Sequence, residues 1–180
     1  LTPQQSDVAK DILHSLERTS GRPDTYLLQG VTGSGKTEVY LDAVEHCLSL
    51  GKRAIVLVPE IALTYQTIER FASRFPGNVA VLHSGLTQGE RFDQWWKVRN
   101  GRYGVVVGSR GAVFAPQPDL GIIVIDEEHE WTYKQGDALP RYHAREIATA
   151  ICCLTGATLL LGSASPDLSS YHRGRRGAYK

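Results

Sequence analysis

Gly30-Val31-Thr32-Gly33-Ser34-Gly35-Lys36-Thr37 fits the pattern G-x-x-x-x-G-K-[ST], a phosphate-binding loop. Glycines at Gly30, Gly33 and Gly35 let the backbone curl, so that successive N–H groups, with those of Thr32 and Ser34, point into one concavity for phosphate oxygens. The start of a following helix adds its partial positive charge. In such a loop Lys36 reaches the β- and γ-phosphates and the Thr37 hydroxyl ligates Mg²⁺, with Glu38 closing the nucleotide-binding stretch. A second chemical element is Ile122-Ile123-Val124-Ile125-Asp126-Glu127, an apolar strand delivering two carboxylates. Asp126 would hold the Mg²⁺ through water, and Glu127 would orient and polarise the attacking water, because phosphoryl transfer depends mostly on positioning and charge stabilisation. Lys36, Asp126 and Glu127 are therefore the expected catalytic groups of an ATP or ADP site.

These residues need strands and helices to hold them. Residues 26–28 read as a short buried strand before the loop, and residues 38–50 as the helix after it. Residues 2–18 form an expected amphipathic helix with Thr2 as N-cap, Pro3 in the first turn and Val8, Ile12, Leu13 and Leu16 as its apolar stripe. Residues 20–24 read as a loop. Further strands are expected at 53–58, 79–82, 103–107, 122–125 and 158–161, and helices at 61–75, 87–99 and 141–154. Residues 108–119 read as a loop, and the basic residues 173–180 as a linker or frayed end after a single unit over 1–172. Alternating strands and helices imply an α/β fold with a mostly parallel central sheet and helices on both faces. Each polar motif begins where an apolar strand stops, so the chemistry gathers along one sheet edge, where such folds bind ligands.

Composition narrows the function classes. The 180 residues suit one large domain, and 42% hydrophobic residues allow a sizeable core. A net charge of +1 means that any nucleic-acid surface is a local patch rather than a global field. The three cysteines, Cys47, Cys152 and Cys153, lack zinc spacing and read as small core residues of a reducing cytoplasm. No apolar run is long enough to span a bilayer, and no signal peptide is visible. The absence of any Met points to processing or to a domain excised from something longer.

Asp126-Glu127-Glu128-His129 resembles the second motif of superfamily 2 helicases and translocases, and the other motifs follow in order. Leu57-Val58-Pro59-Glu60-Ile61-Ala62-Leu63-Thr64 resembles motif Ia, residues 107–116 resemble motif Ib, and Gly162-Ser163-Ala164-Ser165-Pro166 resembles motif III. Together with Glu38-Val39-Tyr40, His83-Ser84-Gly85-Leu86, Tyr133-Lys134-Gln135 and Arg141-Tyr142-His143-Ala144-Arg145, they make the chain similar to the PriA family of primosomal replication-restart helicases from residue 1 to about 171. The departures are small: Arg110-Gly111-Ala112 replaces the usual Arg-Ser-Ala, and Ser165 replaces Thr. The resemblance implies a RecA-like P-loop lobe, the first of two, in a 3′-to-5′ DNA helicase that reloads the replication machinery at stalled forks. It further implies DNA, as single strands and forks, single-strand-binding protein and primosomal proteins as partners of the whole molecule. Zinc belongs to a module of the family that this stretch does not match.

At the DNA side the resemblance places Thr64, the Ser84-Gly85 turn and the loop at Gly108, Ser109 and Arg110, all donors suited to phosphate contacts. Residues 129–142 hold Trp131, Tyr133 and Tyr142 with Lys134 and Arg141, aromatics and cations that suit stacking on bases. They resemble the aromatic-rich loop that couples DNA contact to hydrolysis. The alternative is that Trp131 and Tyr142 cover the sheet. Ser163 and Ser165 are placed to hydrogen-bond near Asp126 or His129 and join that coupling. Gln5 is a candidate reader of the adenine edge, with helix capping as its other reading and Gln4 as its competitor. Trp95 and Trp96 read as helix packing. Two other functions stay open: a nucleotide- and DNA-binding module inactive as an isolated fragment, or a lobe of a double-strand DNA translocase.

Overall fold

The computed structural model describes residues 3–18, 23–136 and 138–180, without the side chains of residues 3 and 4. The Thr2 cap, the Gln4 side chain and most of the loop at 20–24 lie outside the described residues. Six strands, β1 (Thr25–Gln29), β2 (Arg53–Leu57), β3 (Val79–Leu82), β4 (Val105–Gly108), β5 (Leu120–Ile125) and β6 (Thr158–Ser163), form one sheet in the order β1-β6-β5-β2-β4-β3. Every pairing is parallel. Continuous apolar runs such as Ile122 to Ile125 are what a sheet covered on both faces requires.

Side chains alternate along the strands and make two cores. Val56, Val107, Ile122, Val124 and Leu160 pack beneath α1 (Pro3–Glu17), α2 (Lys36–Ser49) and α3 (Tyr65–Arg74). Ile55, Leu57, Ile123, Ile125 and Leu161 pack with Val98 of α4 (Gln88–Arg99) and with Ala144, Ala148 and Cys152 of α5 (Ala144–Thr155). A last helix, α6 (Leu168–Arg175), follows β6.

Several boundaries differ from the sequence expectation. The helix expected over 61–75 is two pieces, a 3-10 turn at Glu60–Ala62 and α3. Thr64 separates them by taking the N-cap role, its hydroxyl accepting from Thr67 N at 3.3 Å. The loop at 108–119 contains a 3-10 turn, Arg110–Phe114. The α5 helix begins three residues later than expected, because residues 141 and 142 close the preceding loop: Gln135 N donates to Tyr142 O at 2.8 Å. Cys47 and Cys152 are core residues, but Cys153 is exposed on α5.

Residues 173–180 are neither linker nor frayed end. They start in α6, turn at Gly177 and return along β1, where Lys180 N donates to Thr25 O and Leu27 N donates to Lys180 O, both at 2.9 Å. Tyr179 is buried in the second core, and Arg173 donates to its hydroxyl. The basic composition hid the anchor, which is that tyrosine.

Candidate functional site: a nucleotide cleft and an adjoining groove at the strand ends

The loop after β1 is pinned at its root by Gly30 N, which donates to Ser163 O at 3.1 Å. Gly33 (φ 77°) and Gly35 (φ 84°) adopt the left-handed conformation that glycine tolerates. Gly35 is the N-cap of α2 and supplies no side-chain cap bond. The first-turn N–H groups of α2 thus lack the usual side-chain acceptor, and a helix start of this kind fits an anion. Lys36 is 9% exposed, and its Nζ donates to Gly30 O at 2.8 Å and lies 3.4 Å from Glu127 Oε1. Thr32, Gly33, Ser34 and Glu38 are exposed around the loop mouth. Gln5 Nε2 donates to Ser34 O at 2.7 Å, so α1 is clipped to the loop by the residue considered for adenine.

The carboxylates come from the end of β5. Asp126 N donates to Leu57 O, continuing the ladder, while Asp126 Oδ1 accepts from Tyr40 Oη at 3.0 Å and from Glu127 N at 3.1 Å. Burial pushes the Asp126 carboxyl above its ordinary pKa, and the Tyr40 hydrogen bond acts against that rise. Burial, reinforced by the Asp126 charge, pushes the Tyr40 phenol far up, so it remains a proton donor. Glu127 has φ 45°, a left-handed conformation that costs a non-glycine residue about 1–3 kcal/mol. In return its Oε1 faces Lys36 and its Oε2 accepts from Ala164 N at 3.3 Å. His129 Nδ1 lies 2.6 Å from Ser163 Oγ and 3.6 Å from Glu127 Oε2. Ser163 is buried and its Oγ also accepts from Ser165 N at 3.0 Å, whereas the Ser165 side chain is exposed. Thr37 and Asp126 line one small cavity of about 60 Å³ beside Tyr40. A hydroxyl and a carboxylate are hard oxygen donors, and this pair fits Mg²⁺, which takes few protein ligands and keeps its waters.

A second cavity, of about 350 Å³, opens over the ends of β2, β4 and β3, lined by Ser84, Trp95, Ser109, Arg110, Phe114 and Tyr142 among others. Thr64 is exposed at the α3 cap. The Ser84 hydroxyl donates to the Glu60 carboxylate. Arg110 is differently employed than the phosphate reading expected: Nη1 donates to Thr132 O at 2.9 Å and Lys134 O at 3.0 Å, holding the aromatic loop in place. That loop divides by exposure. Trp131 is 80% exposed and Lys134 is exposed, but Tyr133 is 1% exposed, with its hydroxyl donating to Asp126 O at 2.7 Å. Tyr133 therefore cannot stack on a base; it joins the loop to the carboxylate strand. Tyr142 is half-buried against Phe114, ring centroids 5.1 Å apart and edge to face. Nor are Trp95 and Trp96 simple packing: Trp96 is exposed, and the Arg99 guanidinium sits 5.3 and 5.7 Å from the two ring centroids.

The DEAD/DEAH box helicase family matches residues 2–173. The chain belongs to that family. It is 49% identical over 180 residues to the replication restart protein PriA of Bacillus subtilis (strain 168), covering 100% of this chain and 22% of that protein. It is 47% identical over 171 residues to the PriA protein of Chlamydia muridarum, covering 95% of this chain and again 22% of the relative. The chain thus spans about a fifth of the length of the curated relatives it matches. A solved structure of RecG bound to a three-way DNA junction superposes with a TM-score of 0.70 at 26% identity, covering 98% of this chain and 22% of that one. The RecA-like fold and the resemblance to the first helicase lobe of the PriA family both hold.

In this helicase lobe, sequence reasoning missed the groups behind the cleft. Glu128, inside the Asp126–His129 motif, is 1% exposed. It pairs with Arg145 Nη1 at 2.6 Å and accepts from Ser170 Oγ at 2.9 Å and Asp167 N at 2.8 Å. Arg145 also reaches Asp167 and Ser169. This buried network joins the second motif, α5 and the start of α6. The spacing of a Glu and an Arg 17 residues apart gives no signal of it. Among the described residues no cluster of three or more His, Cys, Asp and Glu side chains could hold a metal, and no helix is long and apolar enough to cross a membrane.

Proposed function

We propose that this chain is the ATP-binding motor lobe of a 3′-to-5′ DNA helicase that reloads replication machinery at stalled forks. The observation that carries the reading is the convergence of Lys36, Thr37, Asp126 and Glu127 in one cleft at the strand ends. The phosphate tail of ATP would rest on the loop N–H groups and the α2 N-terminus, with Lys36 against its terminal phosphates. Thr37 and Asp126 would hold Mg²⁺, which when bound neutralises charge on the β- and γ-oxygens. Glu127, fixed at one oxygen by Ala164 N, would orient the attacking water. Gln5, already on the loop through Ser34, would read the adenine edge, with Gln4 as its competitor.

DNA would cross the adjoining groove. Trp131 and Tyr142 offer rings, Lys134 and Arg141 offer cations, and Thr64, Ser84 and Ser109 offer small donors. The RecG complex with a DNA junction supports a nucleic-acid ligand for this fold. The names of the PriA relatives support a role in replication restart. On this reading the longer protein would work in the cytoplasm and would meet single-strand-binding protein and primosomal proteins. The arginine finger of P-loop enzymes contributes on the order of 10³–10⁵ in rate. The sequence shows no motif that supplies one, so these 180 residues alone should bind ATP or ADP and hydrolyse slowly. A fluorescent ATP analogue titrated with Mg²⁺ tests the reading: binding is expected, and Lys36→Ala should abolish it. Equal affinity of that variant would overturn the cleft assignment.

A further inference from the structure

Tyr40 lies one helical turn beyond Lys36 on α2, so the two side chains share the face turned toward the sheet. Tyr40 is 1% exposed. Its ring passes between α2 and β6 so closely that a Cβ on Gly162 would stand 1.6 Å from the phenol oxygen. Gly162 is needed there for room, not for backbone conformation. The same glycine's carbonyl accepts from Glu128 N at 3.0 Å, so it also fixes the turn that carries the carboxylates. Beyond Gly162 the phenol donates to Asp126 Oδ1, which already accepts from Glu127 N. Among the described residues both hydrogen bonds to the Asp126 carboxylate fall on Oδ1. Oδ2 is left over, in a carboxylate that shares a small cavity with Thr37.

We infer that Tyr40 is a positioning residue for the metal site: its hydroxyl, seated against Gly162, locks the Asp126 carboxylate so that the other oxygen serves the Mg²⁺ shell. The inference rests on the reading of Thr37 and Asp126 as the metal-holding pair. Tyr40 would act through Asp126, whose carboxylate its hydroxyl engages. A carboxylate with one oxygen held loses little freedom when the cation arrives; a carboxylate free to rotate must be ordered at that moment.

The test uses this 180-residue chain and N-methylanthraniloyl-ADP, whose fluorescence reports binding, titrated in EDTA and in Mg²⁺, with Mn²⁺ affinity followed by electron paramagnetic resonance. Tyr40→Phe keeps the ring and removes the hydrogen bond. Its nucleotide affinity in EDTA should stay within about twofold of the unsubstituted chain, while its Mg²⁺-dependent tightening and its Mn²⁺ affinity should each fall by about tenfold, the scale of one hydrogen bond to a charged group. Gly162→Ala, which evicts the phenol but leaves it intact, should show the same selective loss. Mg²⁺ and Mn²⁺ responses of Tyr40→Phe equal to those of the unsubstituted chain would overturn the inference. So would an equal loss with and without metal, which marks a merely structural role. If the unsubstituted chain binds the nucleotide no better with Mg²⁺ than in EDTA, the metal-site reading beneath it has failed instead.

Discussion

Glu127 holds an unfavourable backbone angle while one carboxylate oxygen faces Lys36 and the other meets the Ala164 amide. Such local strain persists only where surrounding contacts fix it. Glu127→Gln keeps the shape and removes the charge, so nucleotide affinity should stay near that of the parent while turnover in the full-length protein falls at least a hundredfold, the scale of a general base. Phosphate release against nucleotide affinity separates the two effects, and unchanged turnover would remove Glu127 from its role. At this scale the sequence was most informative where a spacing maps directly onto a backbone geometry. The glycines, Lys36 and Thr37 follow from one loop, and Asp126 and Glu127 from one strand end. Tyr133, Tyr40 and Glu128 did not yield, because their partners are a carbonyl, a carboxylate and a guanidinium brought near only by folding. Tyr133 looked like a base-stacking ring because its sequence neighbours are one; the core claimed it instead.

Helix α6 and the root of α5 are joined by ion pairs and hydrogen bonds around Arg145. Arg145→Met would leave Glu128 buried without its cation, a change that costs about 3–5 kcal/mol in comparable sites. Chemical denaturation should show that loss, and the double variant Glu128→Gln with Arg145→Met should recover much of it. Asp167 adds a pH dependence. The Ser169 amide and the Arg145 guanidinium hold its carboxyl below the ordinary value. A carboxylate lowered on folding stabilises above its unfolded pKa of about 3.9 and loses that contribution as pH falls through the folded value. Asp167→Asn should therefore lower the melting temperature at pH 7 more than at pH 3, and an equal shift at both would deny the charge a role. Elements as such were legible: all six strands and all but the last helix lie where apolar periodicity puts them. The exceptions occur where a side chain competes with the backbone, as Thr64 does, or where a single buried tyrosine anchors a basic tail.

The sheet as a whole divides its carboxyl edge. The nucleotide cleft occupies the ends of β1, β6 and β5 and reaches β2 at the Thr37–Asp126 cavity, and the groove occupies those of β2, β4 and β3. Tyr133 and Arg110 sit at the seam, the first bonded to Asp126 and the second to the loop that carries Trp131. With a net charge of +1, strand binding should draw on the few cations at the rim. Single-stranded DNA affinity should then fall with salt at a log–log slope of about −2, as expected for three phosphates neutralised. Anisotropy at several salt concentrations measures it; a slope several times steeper would indicate a wider basic surface than this fold displays.

The amide and carbonyl of Lys180 bracket Tyr26 in a parallel bridge, so the backbone leaves that bridge heading the same way as β1. That heading leads to Gly30, where the phosphate loop begins. A force drawn through the C-terminal residues would be felt first as shear on the strand that feeds the phosphate loop.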